Sequence, residues 1–264
     1  MNILVCVKQV PGSSNVEVDP VTGVLKRDGV ASKMNPYDLY GIELALDLVE
    51  AHGGTVETIT MGPPQAKSVI LESICMGAVR GTVLSDRKFA GADVLATAYT
   101  LSQGVRAAGN FDLIICGKQT TDGDTAQVGP EVAEFLKLPH AANVQSAEPA
   151  EDGRLRYKAV LDDKIMTAAV GMPCLICTDA EINTPRLPSY KRKKAAEGND
   201  GLIKVISVDD FSDKNPEHYG LSGSATKVER IFPPEKNESR QRIVGSDDEM
   251  ADGVFGVLLK EKYI

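Results

Sequence analysis

Tryptophan is absent from this sequence of 264 residues, and histidine occurs only three times, at His52, His140 and His218. None of the three histidines sits in a cluster of polar residues, so a histidine-based catalytic triad or a histidine-rich metal site has almost no material. Any aromatic stacking must come from tyrosine or phenylalanine. The scarcity of histidine therefore disfavours the enzyme classes that depend on imidazole chemistry.

Long apolar runs and an excess of positive charge are also missing. No apolar run reaches the ~18 to 20 residues of a bilayer-spanning helix, so no membrane span is predicted. The opening "MNILVCVKQV" is typical of a strand and lacks the basic and apolar regions of a secretory leader, which makes the cytoplasm the expected compartment. The net charge of -8 argues against a nucleic-acid binder.

Cysteine occurs five times, and Cys174 and Cys177 form a C-x-x-C pair that invites a metal or redox interpretation. The pair lies in the apolar run "PCLICTDA", which is typical of a buried strand. Residues three apart on a strand point to opposite faces, so these two thiols are not expected to bind one ligand. We interpret them as packing residues of a protein in a reducing compartment, and no metal site is predicted.

The standard nucleotide-binding motifs are missing as well. There is no G-x-G-x-x-G after the first strand and no G-x-x-x-x-G-K-[ST]. These absences exclude a P-loop and a standard NAD-binding Rossmann domain. An EF-hand beginning at Asp122 would need an acid where Ala133 stands, so a calcium loop is excluded too.

The first half of the chain does contain a regular alternation of strand-like and helix-like patterns. It predicts a doubly wound, mostly parallel α/β sheet with helices on both faces. A hairpin is expected in "VEVDPVTGVLKRDG", and the first helix should follow Asn35 as N-cap with Pro36 at its first position. The four predicted parallel strands are "ILVCVKQV", "VETITMG", "RGTVLSD" and "FDLIICG".

The second half changes character. Two or three antiparallel strands with a turn at Asp152 and Gly153 are expected, and "PCLICTDA" then returns as a buried strand. Residues 1–189 should form the nucleotide-binding domain, with residues 190–264 as an extended arm ending in a short helix. The arm has too few apolar residues for a core of its own, so we expect it to lie on another chain.

The polar stretch "CGKQTTDGDTAQVG" follows the fourth strand and leads into a helix. Ligands of open parallel sheets bind beyond the carboxyl ends of the strands, and Gly62 and Gly117 would let a ligand approach the backbone there. The threonines of this stretch and the N–H groups after them suit a phosphate. A purely structural alternative is a helix-capping loop with Thr125 as N-cap.

The two acids of this stretch need a different explanation. Asp122 and Asp124 would repel a phosphate. They suit ribose hydroxyls, or N–H groups within the loop. The loop as a whole therefore predicts contact with a nucleotide.

Several motifs, taken in order and spacing, are more specific than composition or periodicity. They are "LVCVKQVP", "MNPYDLYGIELAL", "MGPPQAKSVI", "CGKQTTDGDTAQVGPEVAEFL" and "NTPRLPSYK". Together they resemble the β subunit of electron-transfer flavoprotein, over residues 1 to about 195. The resemblance implies an adenine-nucleotide α-hydrolase-like fold and pairing with a larger α subunit that carries a redox flavin.

The same resemblance implies a bound nucleotide, which is AMP in the simple members and FAD in the electron-bifurcating members. In the latter the ADP part of FAD lies where AMP would lie. Carried across by motif, the nucleotide contacts fall on Cys6, Asn35, Pro36, Tyr37, Asp38, Met61, Gly117, Lys118, Gln119, Thr120, Thr121, Asp122, Gly123, Asp124, Thr125, Ala126, Gln127 and Val128.

The segment "DRKFAGADVLAT" resembles the DR-x-F-x-G-x-D-x-x-AT segment of the bifurcating branch. It implies that Asp93 and Thr97 reach the FAD and that Arg87 offsets negative charge on reduced flavin or NADH. Two positions depart from the relatives, since Val94 replaces a frequent threonine and Tyr99 a common serine. One hydroxyl contact to the flavin is therefore expected to be missing.

The function implied by the resemblance is electron bifurcation, with the cofactor doing the chemistry and no catalytic side chain. NADH would give a hydride to FAD. One electron would pass to ferredoxin or flavodoxin, and the other through the α-subunit FAD to an acyl-CoA or lactate type dehydrogenase. Leu187, in "NTPRLPSYKRKK", matches the family's docking leucine for that dehydrogenase.

Three other functions remain open at this point. One is a simple AMP-binding electron carrier of the same family. Another is a nucleotide-sensing module with no redox role, although that would leave the polar arm unexplained. The third is an ATP pyrophosphatase or adenylating enzyme, which would want an "SGG"-type loop where "VKQVPGSSN" stands.

Overall fold

Eleven strands and six helices form the regular structure of the described residues, which are 1–12, 32–180, 182–229 and 240–264 of this computed structural model. The strands are β1 (Asn2–Cys6), β2 (Gln9–Pro11), β3 (Ser32–Met34), β4 (Thr55–Met61), β5 (Arg80–Leu84), β6 (Leu113–Gly117), β7 (His140–Pro149), β8 (Arg154–Leu161), β9 (Lys164–Gly171), β10 (Cys174–Thr178) and β11 (Ile203–Ile206). The helices are α1 (Pro36–His52), α2 (Lys67–Met76), α3 (Val94–Ala108), α4 (Val128–Leu136), α5 (Tyr190–Ala196) and α6 (Asp247–Lys260).

Nine of these strands form one sheet in the order β11-β5-β4-β1-β6-β10-β7-β8-β9. The pairings from β11 to β7 are parallel, whereas β7, β8 and β9 pair antiparallel. The predicted doubly wound, mostly parallel α/β fold is therefore confirmed. The hairpin expected within residues 16–29 lies outside the described residues; β2 and β3, on either side of it, pair antiparallel.

Helices cover both faces of the sheet, as alternating side chains of the strands require. On β1, Ile3 and Val5 join a core with α1 and α2, while Leu4 joins a second core with α3 and α4. Cys174 belongs to the first core and Cys177 to the second, which confirms that the C-x-x-C pair is split between the faces. Burial raises the pKa of these thiols to about 11 and about 12, so both stay protonated packing residues.

The prediction of an extended arm from residue 190 onward is wrong for the residues up to 229, which pack on the α/β domain. β11 extends the sheet beside β5, and Phe211 and Tyr219 are buried against Phe89, with ring centroids 5.7 and 5.6 Å from it. The first compact unit accordingly runs to Glu229. A strand of four residues and scattered aromatic residues have no periodicity that a sequence pattern could detect.

The last described residues, 240–264, belong to a second unit. The helix expected at the end of the arm is confirmed as α6, which begins with a capping box between Ser246 and Glu249. None of its residues is buried. No helix in the described part of the chain has the length and apolar character needed to cross a bilayer.

Candidate functional site

The candidate site lies where the direction of strand addition reverses. From β1 the chain adds β4 and β5 on one side and β6 and β10 on the other. Cys6 and Cys116 pair at the carboxyl ends of β1 and β6, and Met61 ends the neighbouring β4. Such a reversal opens a crevice at the carboxyl edge, which is where sheets of this kind bind ligands.

Asn35 and Asp38, both buried, connect the first turn of α1 to the loop after β6. The Nδ2 of Asn35 donates to Asp38 Oδ1 and to Gln119 O, both over 2.9 Å. Its Oδ1 accepts from Thr121 N at 3.2 Å, and Asp38 Oδ2 accepts from Lys8 N at 2.7 Å. Asn35 is the N-cap by position, as predicted, but its side chain makes no capping hydrogen bond and binds the loop instead.

Gly117 is required for packing inside the protein, whereas the sequence had predicted that it lets a ligand approach the backbone. A Cβ at this position would lie 2.9 Å from the backbone carbon and the Cβ of Tyr37 and would overlap Asp38 Oδ1. The space in front of Gly117 is therefore taken by the first turn of α1, not by a ligand. The glycine allows the end of β6 to pack directly against the residues that hold the loop.

Both acids of the loop bind side chains within the site. Asp122 Oδ1 accepts from Lys8 Nζ at 2.7 Å, and Asp124 Oδ1 accepts from Gln119 Nε2. Although burial acts to raise it, the hydrogen bond and charge of Lys8 hold the pKa of Asp122 below its ordinary value. Lys8 was not among the predicted site residues, although it lies two positions after the end of β1. Asp124 and Ala126 have left-handed backbones, with φ of 53° and 55°, which turn the loop toward α4.

The start of α4 differs from the alternative prediction of a helix-capping loop with Thr125 as N-cap. Its N-cap is Gln127 rather than Thr125, and no side chain of the described residues binds the N–H groups of Val128 and Gly129 in its first turn. These donors lie at the crevice beside the threonines of the loop. The arrangement suits an anion such as a phosphate, since the start of a helix carries unpaired donors and a positive partial charge.

A second polar region adjoins the loop at the start of α3. Asp93 is the N-cap, and its Oδ1 accepts from Ala96 N at 3.0 Å. Its Oδ2 accepts from the N and Oγ1 of Thr226 at 2.8 and 2.9 Å, and its own N donates to Ser224 Oγ at 2.9 Å. The carboxylate of Asp93 therefore orders the helix start and residues 224–226. Ser224 and Thr226 were not singled out at the sequence level because they lie in a segment without periodicity.

The other candidate residues near the start of α3 make fewer contacts with the rest of the chain. Arg87 is exposed in the turn Arg87–Phe89 and makes no ion pair within the described part of the chain. Thr97 is half-buried, and its N donates to Asp93 O at 3.0 Å. The hydroxyl of Tyr99 donates to Asp213 Oδ2 at 2.5 Å, so it binds the segment between β11 and Tyr219.

Glu131, in the first turn of α4, carries the observation that favours a bound ligand. Its Oε2 is buried without a hydrogen-bond partner in the described residues. Burial first and the charge of Asp93 second raise the pKa of Glu131 above its ordinary value. A buried acceptor without a donor is costly, and a hydroxyl or N–H group of a ligand would satisfy it.

The residues therefore fit a phosphate-bearing nucleotide with hydroxyl groups. Thr120, Thr121 and the N–H groups from Thr125 to Val128 would hold phosphate oxygens, and Glu131 would accept from a hydroxyl. In the described residues no group of His, Cys, Asp and Glu side chains could hold a metal ion.

Asp38 makes the site sensitive to pH. Burial raises its pKa from an ordinary 3.8 to about 7, against the hydrogen bonds from Asn35 and Lys8 N that lower it. The folded protein holds this proton more tightly than the unfolded chain does, so protonation of Asp38 stabilises the fold. This contribution to the free energy of unfolding is fully present below about pH 4 and is lost as the pH rises through about 7.

Asp38→Asn is accordingly expected to remove this pH dependence of thermal stability. Between pH 5 and pH 8 the melting temperature of the native protein should fall relative to that of the variant, because only the native carboxyl must give up its proton. Thermal unfolding of both proteins across this range measures the difference. Parallel profiles would show that Asp38 is already ionised at pH 5.

Comparison with known proteins gives consistent matches over the whole chain. Residues 22–210 match the model of the electron transfer flavoprotein domain. The electron transfer flavoprotein subunit beta of Clostridium acetobutylicum is 39% identical over 264 residues, which is 100% of both chains. The caffeyl-CoA reductase-Etf complex subunit CarD of Acetobacterium woodii is 38% identical over 265 residues, again 100% of both. Protein FixA of Azorhizobium caulinodans is 37% identical over 99% of this chain and 95% of its own.

These matches bear out the family resemblance on which the candidate site residues were chosen. They favour electron transfer over the nucleotide-sensing module and the adenylating enzyme.

Proposed function

This chain belongs to the electron transfer flavoprotein family as a β subunit, and from that premise we propose that its crevice binds FAD and that the complex bifurcates electrons. Such β subunits pair with an α subunit and serve dehydrogenases. In the proposed reaction the hydride of NADH would supply two electrons and one proton, leaving NAD+. One electron would go to ferredoxin or flavodoxin, the other would pass through the flavin of the α subunit to a flavin-dependent dehydrogenase, and the proton would be released to water.

The buried, unpaired Oε2 of Glu131 in the first turn of α4 carries the proposal of FAD over AMP. AMP on residues 117–128 would leave Arg87, before α3, and the buried Glu131 acceptor of α4 without a ligand. A dinucleotide is long enough to use both regions. The ADP part would lie on the loop, and the remainder would extend toward α3.

When bound, FAD would supply the hydride and single-electron chemistry that no side chain here provides. The chain's own residues bind and orient it. Asn35 and Asp38 hold the loop in place, and Lys8 neutralises Asp122 beside the phosphate-binding donors. Asp93 with Thr226 orders the wall from which Arg87 and Thr97 would face the ligand.

Two surfaces are proposed for partners. Leu187 is 88% exposed between Pro185 and Pro188, which supports its role in docking the dehydrogenase. That dehydrogenase is of the acyl-CoA or lactate type, and the caffeyl-CoA reductase complex of one relative supports a CoA-ester substrate. The exposed apolar residues of α6 support the proposal that the end of the chain lies on the α subunit.

The cytoplasm is the proposed compartment. All five cysteines are free and buried, which suits a reducing environment.

Counting the cofactors of the co-expressed α–β heterodimer tests the proposal. We expect two FAD and no AMP per heterodimer, measured by absorbance and by chromatography of the nucleotides released on denaturation. With AMP in place of FAD, the buried Oε2 of Glu131 would be left unpaired. One FAD and one AMP would contradict bifurcation and identify a simple electron carrier, for which the loop alone suffices.

A further inference from the structure

The segment that presents Leu187 has no helix or strand of its own, yet it is fixed at both ends. We name residues 183–189 the Leu187 loop. Asn183 Nδ2 donates to Tyr40 O of α1 at 3.0 Å, and Ser189 N donates to Cys75 O of α2 at 2.9 Å. The loop therefore crosses from one helix to the other over a span of a few residues.

Arg186 fixes the middle of the Leu187 loop. Its backbone N donates to Glu43 Oε2 at 2.8 Å, and its Nε lies 3.0 Å from both carboxylate oxygens of Glu43. Its Nη1 contacts Glu50 Oε1 at 2.5 Å, and its Nη2 contacts Asp47 Oδ1 at 3.3 Å. One arginine thus binds three carboxylates on a single face of α1, where the spacing of three and four residues brings them together.

This contact differs from an ordinary surface ion pair because Glu43 is only 7% exposed. An isolated carboxylate in such a position is strongly unfavourable, and Arg186 supplies both its charge and its hydrogen bonds. Three neighbouring carboxylates would also repel one another without the guanidinium. Removing Arg186 should therefore release the loop from α1 instead of leaving it in place.

Leu187 follows Arg186 directly and lies between Pro185 and Pro188. The prolines restrict the backbone locally, but they do not determine where the loop lies on the protein surface. The contacts of Asn183 and Ser189 fix its ends, and the hydrogen bonds and ion pairs of Arg186 fix its middle, next to Leu187. A leucine held in one place loses less conformational entropy when it enters a partner's pocket.

We propose that Arg186 is a positioning residue for partner docking, which holds the Leu187 loop on α1 through Glu43, Asp47 and Glu50. The proposal rests on the docking role of Leu187 given above. It assigns to the acidic face of α1 a function away from the nucleotide crevice.

Tryptic digestion of the intact heterodimer tests the anchoring without any partner. In the native protein the Arg186–Leu187 bond should resist cleavage because the guanidinium is occupied, whereas bonds after Lys193 and Lys194 on exposed α5 serve as an internal reference. Glu43→Gln should raise the rate at Arg186 about tenfold relative to that reference. Glu57→Gln, which removes the carboxylate bound by Arg80 elsewhere, should leave the ratio unchanged.

Kinetics with an acyl-CoA dehydrogenase as the probe then test docking. Arg186→Gln should raise KM about tenfold with kcat unchanged, and Arg186→Lys should fall between it and the native protein, since lysine lacks the planar fork. In the Leu187→Ala background, Arg186→Gln should add little. Arg192→Gln, which removes a nearby positive charge that makes no ion pair within the described residues and acts on Glu50 only through its charge, is the matched control and should change KM less than twofold.

The outcomes separate the two proposals. If Leu187→Ala leaves KM unchanged, the docking role fails and the proposed function of Arg186 fails with it, even when digestion shows the anchoring. If Leu187→Ala raises KM but Arg186→Gln does not, or if Arg192→Gln has an equal effect, only the role of Arg186 is overturned. Arg186→Gln could fold poorly because it leaves Glu43 buried and charged. The double variant Glu43→Gln with Arg186→Gln has no such charge, so it should fold and must give the same rise in KM.

Discussion

Gly117→Ala is expected to leave the heterodimer largely without nucleotide in the β subunit. The added methyl group would overlap Asp38 Oδ1 and the backbone of Tyr37, so either the end of β6 or the first turn of α1 must move. Overpacking of this kind costs ~1–3 kcal/mol, and each ~1.4 kcal/mol corresponds to a factor of ten in binding. Because Asn35 and Asp38 hold the loop, we expect nucleotide affinity to fall about 10- to 100-fold.

Gly171→Ala is the control for this experiment, since it adds the same group at the end of β9, the edge strand of the same sheet. A Cβ at Gly171 would meet no atom within 4 Å. This variant should retain its nucleotide after gel filtration, whereas Gly117→Ala should lose it. Full retention by Gly117→Ala would mean that the packing of β6 against α1 does not govern the site.

Replacing Phe255 and Leu259 of α6 together by serine is expected to prevent stable pairing with the α subunit. Their side chains are 54% and 51% exposed, and they lie four residues apart on one face of the helix. Apolar groups of this size contribute roughly 2–3 kcal/mol each when they are buried in an interface. Loss of both should weaken the heterodimer at least about 100-fold, as measured by co-purification and by analytical ultracentrifugation.

Asp252→Ser provides the comparison on the same helix, because it introduces the same residue at a polar position. It should leave the heterodimer intact. Circular dichroism of each purified β subunit checks that residues 1–229 stay folded, so that loss of pairing is attributed to α6. A heterodimer that survives the double substitution would show that the end of the chain is dispensable for assembly.

The architecture of the sheet followed from local patterns. The apolar patterns that distinguish its strands from its helices can be read in short stretches of sequence. Pro36 and Gly53 mark the two ends of α1, because the backbone preference of each acts within one or two residues. The split of Cys174 and Cys177 between the faces follows from strand geometry alone. The position of the polar loop after β6 was predictable for the same reason, since it follows a strand of the parallel sheet.

The partners of the polar residues depended on tertiary structure. Lys8 binds Asp122 across 114 residues, Asp93 binds Thr226 across 133, and Arg186 binds Glu43 across 143. Periodicity in a short window contains no information about such pairs, because the fold brings them together only after the sheet has formed. The same limit explains why the segment around Tyr219 was assigned to the arm and why Gly117 was assigned to a ligand. Sequence patterns alone determined which residues form the sheet and where its crevice opens, whereas only the tertiary structure decided which side chains support it.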